Sequence, residues 1–231
     1  HAMPVLSRLP LAFALSLLLA SGTVAAASDG ADIDKVNGSI TAESGQVYGD
    51  LETVNGSIRL EDGAHAKDAQ TVNGSVKAGD DIEAEDLGTV NGGIRIGERA
   101  RISGGIETVN GGIFVDRGGR VAKNIQTVNG AIGIVATELG GGIETVNGDV
   151  TVGIDSHVRG GLKVHKPNST WLPIKFSSKR KPRIVIGPNA VVEGDLVFER
   201  EVTLYVHSSA RIGKVTGATA IAFDTPRAPR D

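Results

Sequence analysis

Apolar residues recur along this chain at steps of six. Val54, Leu60, Ala66, Val72, Ala78, Ala84, Val90, Ile96 and Ile102 keep the beat, which resumes after one added residue as Val109, Val115 and Val121. After another it runs Val128, Ile134, Val146, Val152, Val158 and Val164, with Gly140 at the skipped position. Two residues before many of these stands a second apolar residue, giving in-out-in triplets such as Ile58-Arg59-Leu60 and Ile94-Arg95-Ile96. Alternation over so few positions predicts short strands with one buried face.

A longer repeat lies over this beat. Thr-Val-Asn-Gly, followed within two residues by Ile or Val, returns with Asn37, Asn55, Asn73, Asn91, Asn110, Asn129 and Asn147, at steps of 18, 18, 18, 19, 19 and 18. Only the first copy differs, with Lys35 in the Thr position. Three triplets joined by short corners make one coil of 18 to 19 residues. The predicted fold is therefore all-β: a single-stranded parallel β-helix, or β-solenoid, triangular in section and of either hand. The seven Asn-Gly pairs are the expected corners, because Gly accepts positive φ freely and Asn better than most residues. Reading them as hairpin turns would require strands of equal length on either side, which the sixfold beat does not supply. The third face is less regular. Leu51, Leu87, Ile106, Ile125 and Ile143 lie three residues before the repeat Val, a spacing that predicts a bulge or an early corner.

The flanks divide the chain further. Residues 1–27 read as an export signal: Arg8 is the only charge, Leu11 to Ala20 are an apolar run, and Ala25-Ala26-Ala27 supplies a small-residue cleavage pattern. His1 and Ala2 precede the single Met and are set aside. A membrane anchor is the weaker reading, since the run is short for a bilayer core about 30 Å thick. Residues 28–35 are a polar N-terminal cap, 36–164 the regular coils, 165–183 an excursion without the beat, 184–216 further coils and 217–231 a C-terminal cap and Pro-rich tail. The later coils carry Ile186, Val192, Phe198, Leu204 and Ala210.

Val-Asn-Gly-Ser-Ile at 36–40 and 54–58, with its later copies, resembles a bacterial adhesin-type repeat family of unknown function whose members are exported β-solenoids. The likeness covers roughly residues 33 to 215. Ile184 to Val215 is also similar to bactofilins, the polymer-forming cytoskeletal β-helices, which as a rule lack a cleaved export signal. The resemblances imply a secreted or periplasmic structural, adhesive or surface-interaction module. They imply no catalytic residue and no cofactor, and end or side contacts between copies are the expected route to any homo-oligomer.

Composition narrows the chemistry. There is no Cys among 231 residues, which removes disulfides, thiolate metal sites and a lipid-bearing N-terminal Cys. Without residues 1–27 the chain keeps 23 basic and 27 acidic residues, a balance of −4 that gives no sign of nucleic-acid binding. The histidines are scattered, and His65, between Ala64 and Ala66, reads as an outward side chain. A glycan hydrolase or lyase, the rival function, would need paired carboxylates facing a groove. Two candidate surfaces remain. One is the ladder Thr53, Thr71, Thr89, Thr108, Thr127 and Thr145, which as an exposed face would resemble that of ice-binding solenoids and as plain structure suits β-branched stacking. The other is the excursion. Lys163, Lys166, Lys175, Lys179, Arg180, Lys181 and Arg183 place seven positive charges, with no acid, around Trp171 and Phe176. Such a segment suits an anionic envelope polymer or membrane surface, or else folds back on the solenoid as a packing lid.

Overall fold

A computed structural model describes residues 30–167 and 180–229. Among these, every regular element is a β-strand, and all pairings are parallel within three sheets that stack as a solenoid of about ten turns. Sheet 1 has ten strands, from Ala31–Asn37 to Val215–Thr216, and sheet 2 has ten, from Ile40–Ala42 to Ala220–Phe223. Sheet 3 has seven very short strands, from Glu83–Ala84 to Arg211–Ile212, and single bridges Val47 to His65 and His65 to Glu83 carry it towards the N-terminus. Register follows the sequence repeat, so that Thr53 pairs Thr71 and Asn55 pairs Asn73.

Sheet 2 matches the triplet expectation: Ile58, Leu60, Ile94 and Ile96 are buried, and Arg59 and Arg95 point outward. Ile, Leu, Val and Ala from all three sheets form one continuous core. Small and β-branched side chains suffice because the tube is narrow and each layer is filled from three directions.

Sheet 1 differs from the sequence reading. No bulge interrupts the repeat segment, where Leu51 and Thr53 face inward and Glu52 and Val54 outward; the register shift of this sheet lies in its first strand, between Ala31 and Ile33. The threonine ladder is thus an internal column and not an exposed face, with Thr89 and Thr145 fully buried at 0% exposure. A buried hydroxyl needs a partner, and the corner supplies it. Oγ1 of Thr53, Thr71, Thr89, Thr108 and Thr127 donates to the carbonyl of Gly38, Gly56, Gly74, Gly92 and Gly111 respectively, at 2.8 to 3.0 Å. The repeat Val, which kept the sixfold beat, is the outward neighbour of that column.

The Asn-Gly corner also works differently from expectation. Positive φ is found at the corner glycines Gly38 (112°) and Gly130 (154°) but not at Gly92. A Cβ there would overlap the carbonyl oxygen of Gly74 in the coil below, and Gly56, Gly74, Gly111 and Gly148 stand likewise on the corner glycine before them. Close axial approach of backbone to backbone is what requires Gly. The asparagines stack outside it, each Nδ2 donating to the preceding Oδ1 at 2.9 to 3.1 Å from Asn55 to Asn147. The bend that is left-handed coil after coil is the corner between sheets 2 and 3, at Gly45, Gly63, Asp81, Arg99, Gly118, Ala136, Asp155 and Asn189.

The excursion occupies an Asn-Gly corner. Thr145 and Val150 pair with Val164 and Ile184, so the chain leaves sheet 1 after Val164 and rejoins sheet 2 in register.

The two corners should respond oppositely to glycine exchange. Gly92→Ala, which forces the backbone of adjacent coils apart, should cost about 1–3 kcal/mol, whereas Ala136→Gly, at φ 42°, should gain up to about 1 kcal/mol by relieving strain. Urea unfolding midpoints of the two variants check this, and a loss at Ala136→Gly would contradict the corner assignment.

Candidate functional site

Because the interior is filled, chemistry is confined to the outer columns of the three sheets. Sheet 3 carries an open trough of about 930 Å³. Its strands expose one side chain per coil along the first column, and register stacks His65, Glu83, Arg101, Arg120, Glu138 and His157 in that order. The order is a palindrome of charge: His, Glu, Arg, Arg, Glu, His. Five coil steps make it about 24 Å long. The neighbouring column shrinks to Ser103, Ala122 and Gly140 in the middle, which opens the floor. Beyond His157 a second hollow of about 540 Å³ continues past Val191 and Arg211.

Opposite charges pair along the column. Glu83 takes His65 Nδ1 at 3.2 Å and Arg101 Nη1 at 2.9 Å. His157 lies 3.5 Å from Glu138 and 2.6 Å from Glu193. At the centre, like meets like: Arg101 and Arg120 are direct register partners. Sequence reasoning placed His65 outward correctly but missed the ladder, whose signal was a charged or His residue directly before the apolar beat position at the coil period.

The outer face of sheet 1 is acidic. Burial, then the charges of Asp34, Asp50, Asp68 and Asp32, push Glu52 above the ordinary carboxyl range. Burial also raises Asp68; the Asp86 N–H opposes this, and the charges of Asp86, Asp50 and Glu85 add to it. Glu107 is shifted most, to about 7, by burial and then by Asp86. Beside it run the outward valines Val109, Val128 and Val146, the last two buried.

Of the basic residues between 163 and 183, Lys163, Arg180, Lys181 and Arg183 are held by the solenoid and its tail through their side chains, and Lys166 through its backbone N–H. Lys163 pairs with Glu199 at 3.1 Å, Arg180 with Asp149 at 2.6 Å and Lys181 with Glu201 at 2.9 Å. Burial raises the Glu199 carboxyl, but Lys163, the Lys166 N–H and His165 outweigh it and hold it below the usual range. Arg183 lies over the Tyr205 ring and donates to the Pro229 carbonyl. Arg200 donates to the Val146 carbonyl and to Asn147 Oδ1, closing the asparagine ladder where the corner is interrupted. Trp171, Lys175, Phe176 and Lys179 lie outside the described residues.

No protein-family model matches the chain, and neither a curated protein nor a solved structure does.

Glu107 makes stability pH-dependent. Its folded value of about 7 exceeds the ordinary 4.5, so the folded chain holds this proton more tightly than the unfolded one. That stabilisation is complete below the ordinary value and is lost as pH rises through about 7. Glu107→Gln should therefore flatten the fall in stability between pH 5 and 8 and stabilise the protein at pH 8 by about 1–3 kcal/mol. Denaturant titrations across pH check it; an unchanged slope would contradict the assignment.

Proposed function

We propose that the protein is an exported, non-catalytic β-solenoid of the bacterial cell envelope that works as a structural and adhesive scaffold, in keeping with the adhesin-type repeats it resembles. The observation that carries this reading is the sheet 3 trough. It is long, open and shallow, and its polar groups are spaced by the coil repeat instead of converging on one point. Catalysis concentrates preorganised groups around a reacting centre, whereas recognition of an extended polymer distributes weak contacts along its length. Rigid repeat stacking supports such distributed contacts because each coil fixes the next.

A second reading, assembly of copies end to end as in bactofilins, is favoured by the terminal coils. Among the described residues the strands Ala31–Asn37 and Ala220–Phe223 are edges, and Val36, Val47 and Ile221 near them are 54%, 56% and 46% exposed. Unpaired parallel edges are templates for another chain.

Co-sedimentation of the purified protein with peptidoglycan sacculi and with insoluble acidic exopolysaccharide tests the scaffold reading. Binding that weakens as salt rises from 50 to 500 mM, with no new reducing ends in the polymer, is the expected result. Absence of sedimentation with every polymer contradicts it, and polymer cleavage would replace it with the hydrolase or lyase reading. Concentration-dependent filaments in sedimentation velocity runs would establish the second reading.

A further inference from the structure

We propose that Arg101 and Arg120 form a carboxylate clamp, and that the trough on sheet 3 accepts a linear acidic polysaccharide laid along the solenoid axis. This rests on the binding-scaffold reading and names its ligand class.

The starting point is the like-charge step in an otherwise complementary ladder. Every other neighbouring pair in the palindrome combines an acid with a base or a histidine, but Arg101 and Arg120 stack directly, one coil rise of about 4.8 Å apart. Like charges opposite one another in a sheet are unfavourable. Arg101 is anchored on Glu83 at 2.9 Å, and Arg120 is exposed and makes no ion pair within 4.0 Å among the described residues, although Glu138 is its register partner on the other side. The pair therefore places two guanidinium forks on one column a coil rise apart, and a carboxylate between them removes their repulsion while accepting charge-assisted hydrogen bonds.

The surroundings select the class of anion. The trough is lined by three arginines, Arg101, Arg120 and Arg159, and by three carboxylates, Glu83, Glu85 and Glu138. Their charges cancel, so the trough offers no continuous positive field for a polyphosphate chain, which needs neutralisation at each unit. It suits a chain with few carboxylates and many hydroxyls, which Glu83, Glu138 and Ser103 would accept or donate to. Ser103, Ala122 and Gly140 leave a flat floor on which sugar rings can lie. Arg159 stands two coils beyond Arg120, in the floor column, and likewise has no ion pair among the described residues. Two coil rises are about 10 Å, close to the length of a disaccharide unit, so Arg159 meets the next carboxylate of a polymer acidic at alternate rings.

Titration calorimetry with the full chain and three probes tests the clamp: hyaluronan oligomers, which carry a uronate at alternate rings, the same oligomers with carboxyls reduced to alcohols, and inorganic polyphosphate. The variants are Arg120→Gln, the Arg101→Gln/Arg120→Gln pair, Arg120→Lys and, as a control on sheet 2, Arg95→Gln, whose guanidinium lies over Phe114. Hyaluronan oligomers should bind the wild type and Arg95→Gln alike, and bind at least about tenfold more weakly to Arg120→Gln and the double variant. Arg120→Lys should recover only part of the affinity, because an ammonium keeps the charge but not the fork. Carboxyl-reduced oligomers should lose binding to the wild type. Thermal unfolding of Arg120→Gln at or above the wild-type midpoint shows that the fold is intact, since a repulsive contact has been removed. Equal affinity for the reduced oligomers, unchanged binding by Arg120→Gln, or tighter binding of polyphosphate overturns the clamp. So does a wild type that ignores hyaluronan oligomers. In each case sedimentation with envelope polymers decides the scaffold reading independently.

Discussion

Backbone contact between successive coils at the Asn-Gly corner governs the rest of this structure. There the corner glycine of one coil sits directly on the carbonyl of the corner glycine below, leaving no room for a Cβ. The same carbonyl accepts the hydroxyl of the buried threonine in the coil above, for example Thr89 on Gly74 at 2.8 Å. Asparagine amides continue the contact outside. One short segment thereby fixes rise, register and the direction of the following strand, and a slip of one residue would bury Glu52 and expose Thr53.

Once every coil is pinned in this way, inner positions are committed to packing and outer positions are free to vary. The three outer faces use that freedom differently. Sheet 1 collects acids whose proton affinity is raised by burial and mutual repulsion, with Glu107 the extreme case. Sheet 3 sets bases and acids in a mirrored column over small residues. The C-terminal part ties its basic segment back through Glu199, Asp149 and Glu201. Binding on such a scaffold is a property of columns, in which a side chain matters through its neighbours one coil above and below.

Periodicity made the solenoid, its coil length and the break between 164 and 184 legible before any coordinate. Sheet 2 was read correctly because its strands are isolated triplets, in which alternation has only one phase. Sheet 1 was misread because Thr and Val are both β-branched and occupy adjacent positions: the apolar beat selected the valines, while the hydroxyl's partner, a glycine carbonyl in another coil, is invisible in a linear pattern. Positive φ, expected at every corner glycine for a related reason, is found only at Gly38 and Gly130. A requirement for Gly looks the same in sequence whether it comes from dihedral angle or from close approach, and the actual left-handed corner is occupied by Gly, Asp, Arg, Ala and Asn, a mixture that hides it. The charge palindrome was present in the sequence at the coil period but becomes a surface only when the strands are stacked.

Residue-resolved amide hydrogen exchange at the corner tests the central claim most directly. The N–H groups of Gly56, Gly74, Gly92 and Gly111 donate to the carbonyls of Asn73, Asn91, Asn110 and Asn129 in the next coil. Coil-to-coil backbone stacking predicts that these four amides exchange as slowly as those of the buried Ile58, Ile94 and Ile132, through the same global opening. Fast exchange at the four glycines beside protected strand amides would mean that the corners are ordinary solvent-facing turns, and would contradict the account.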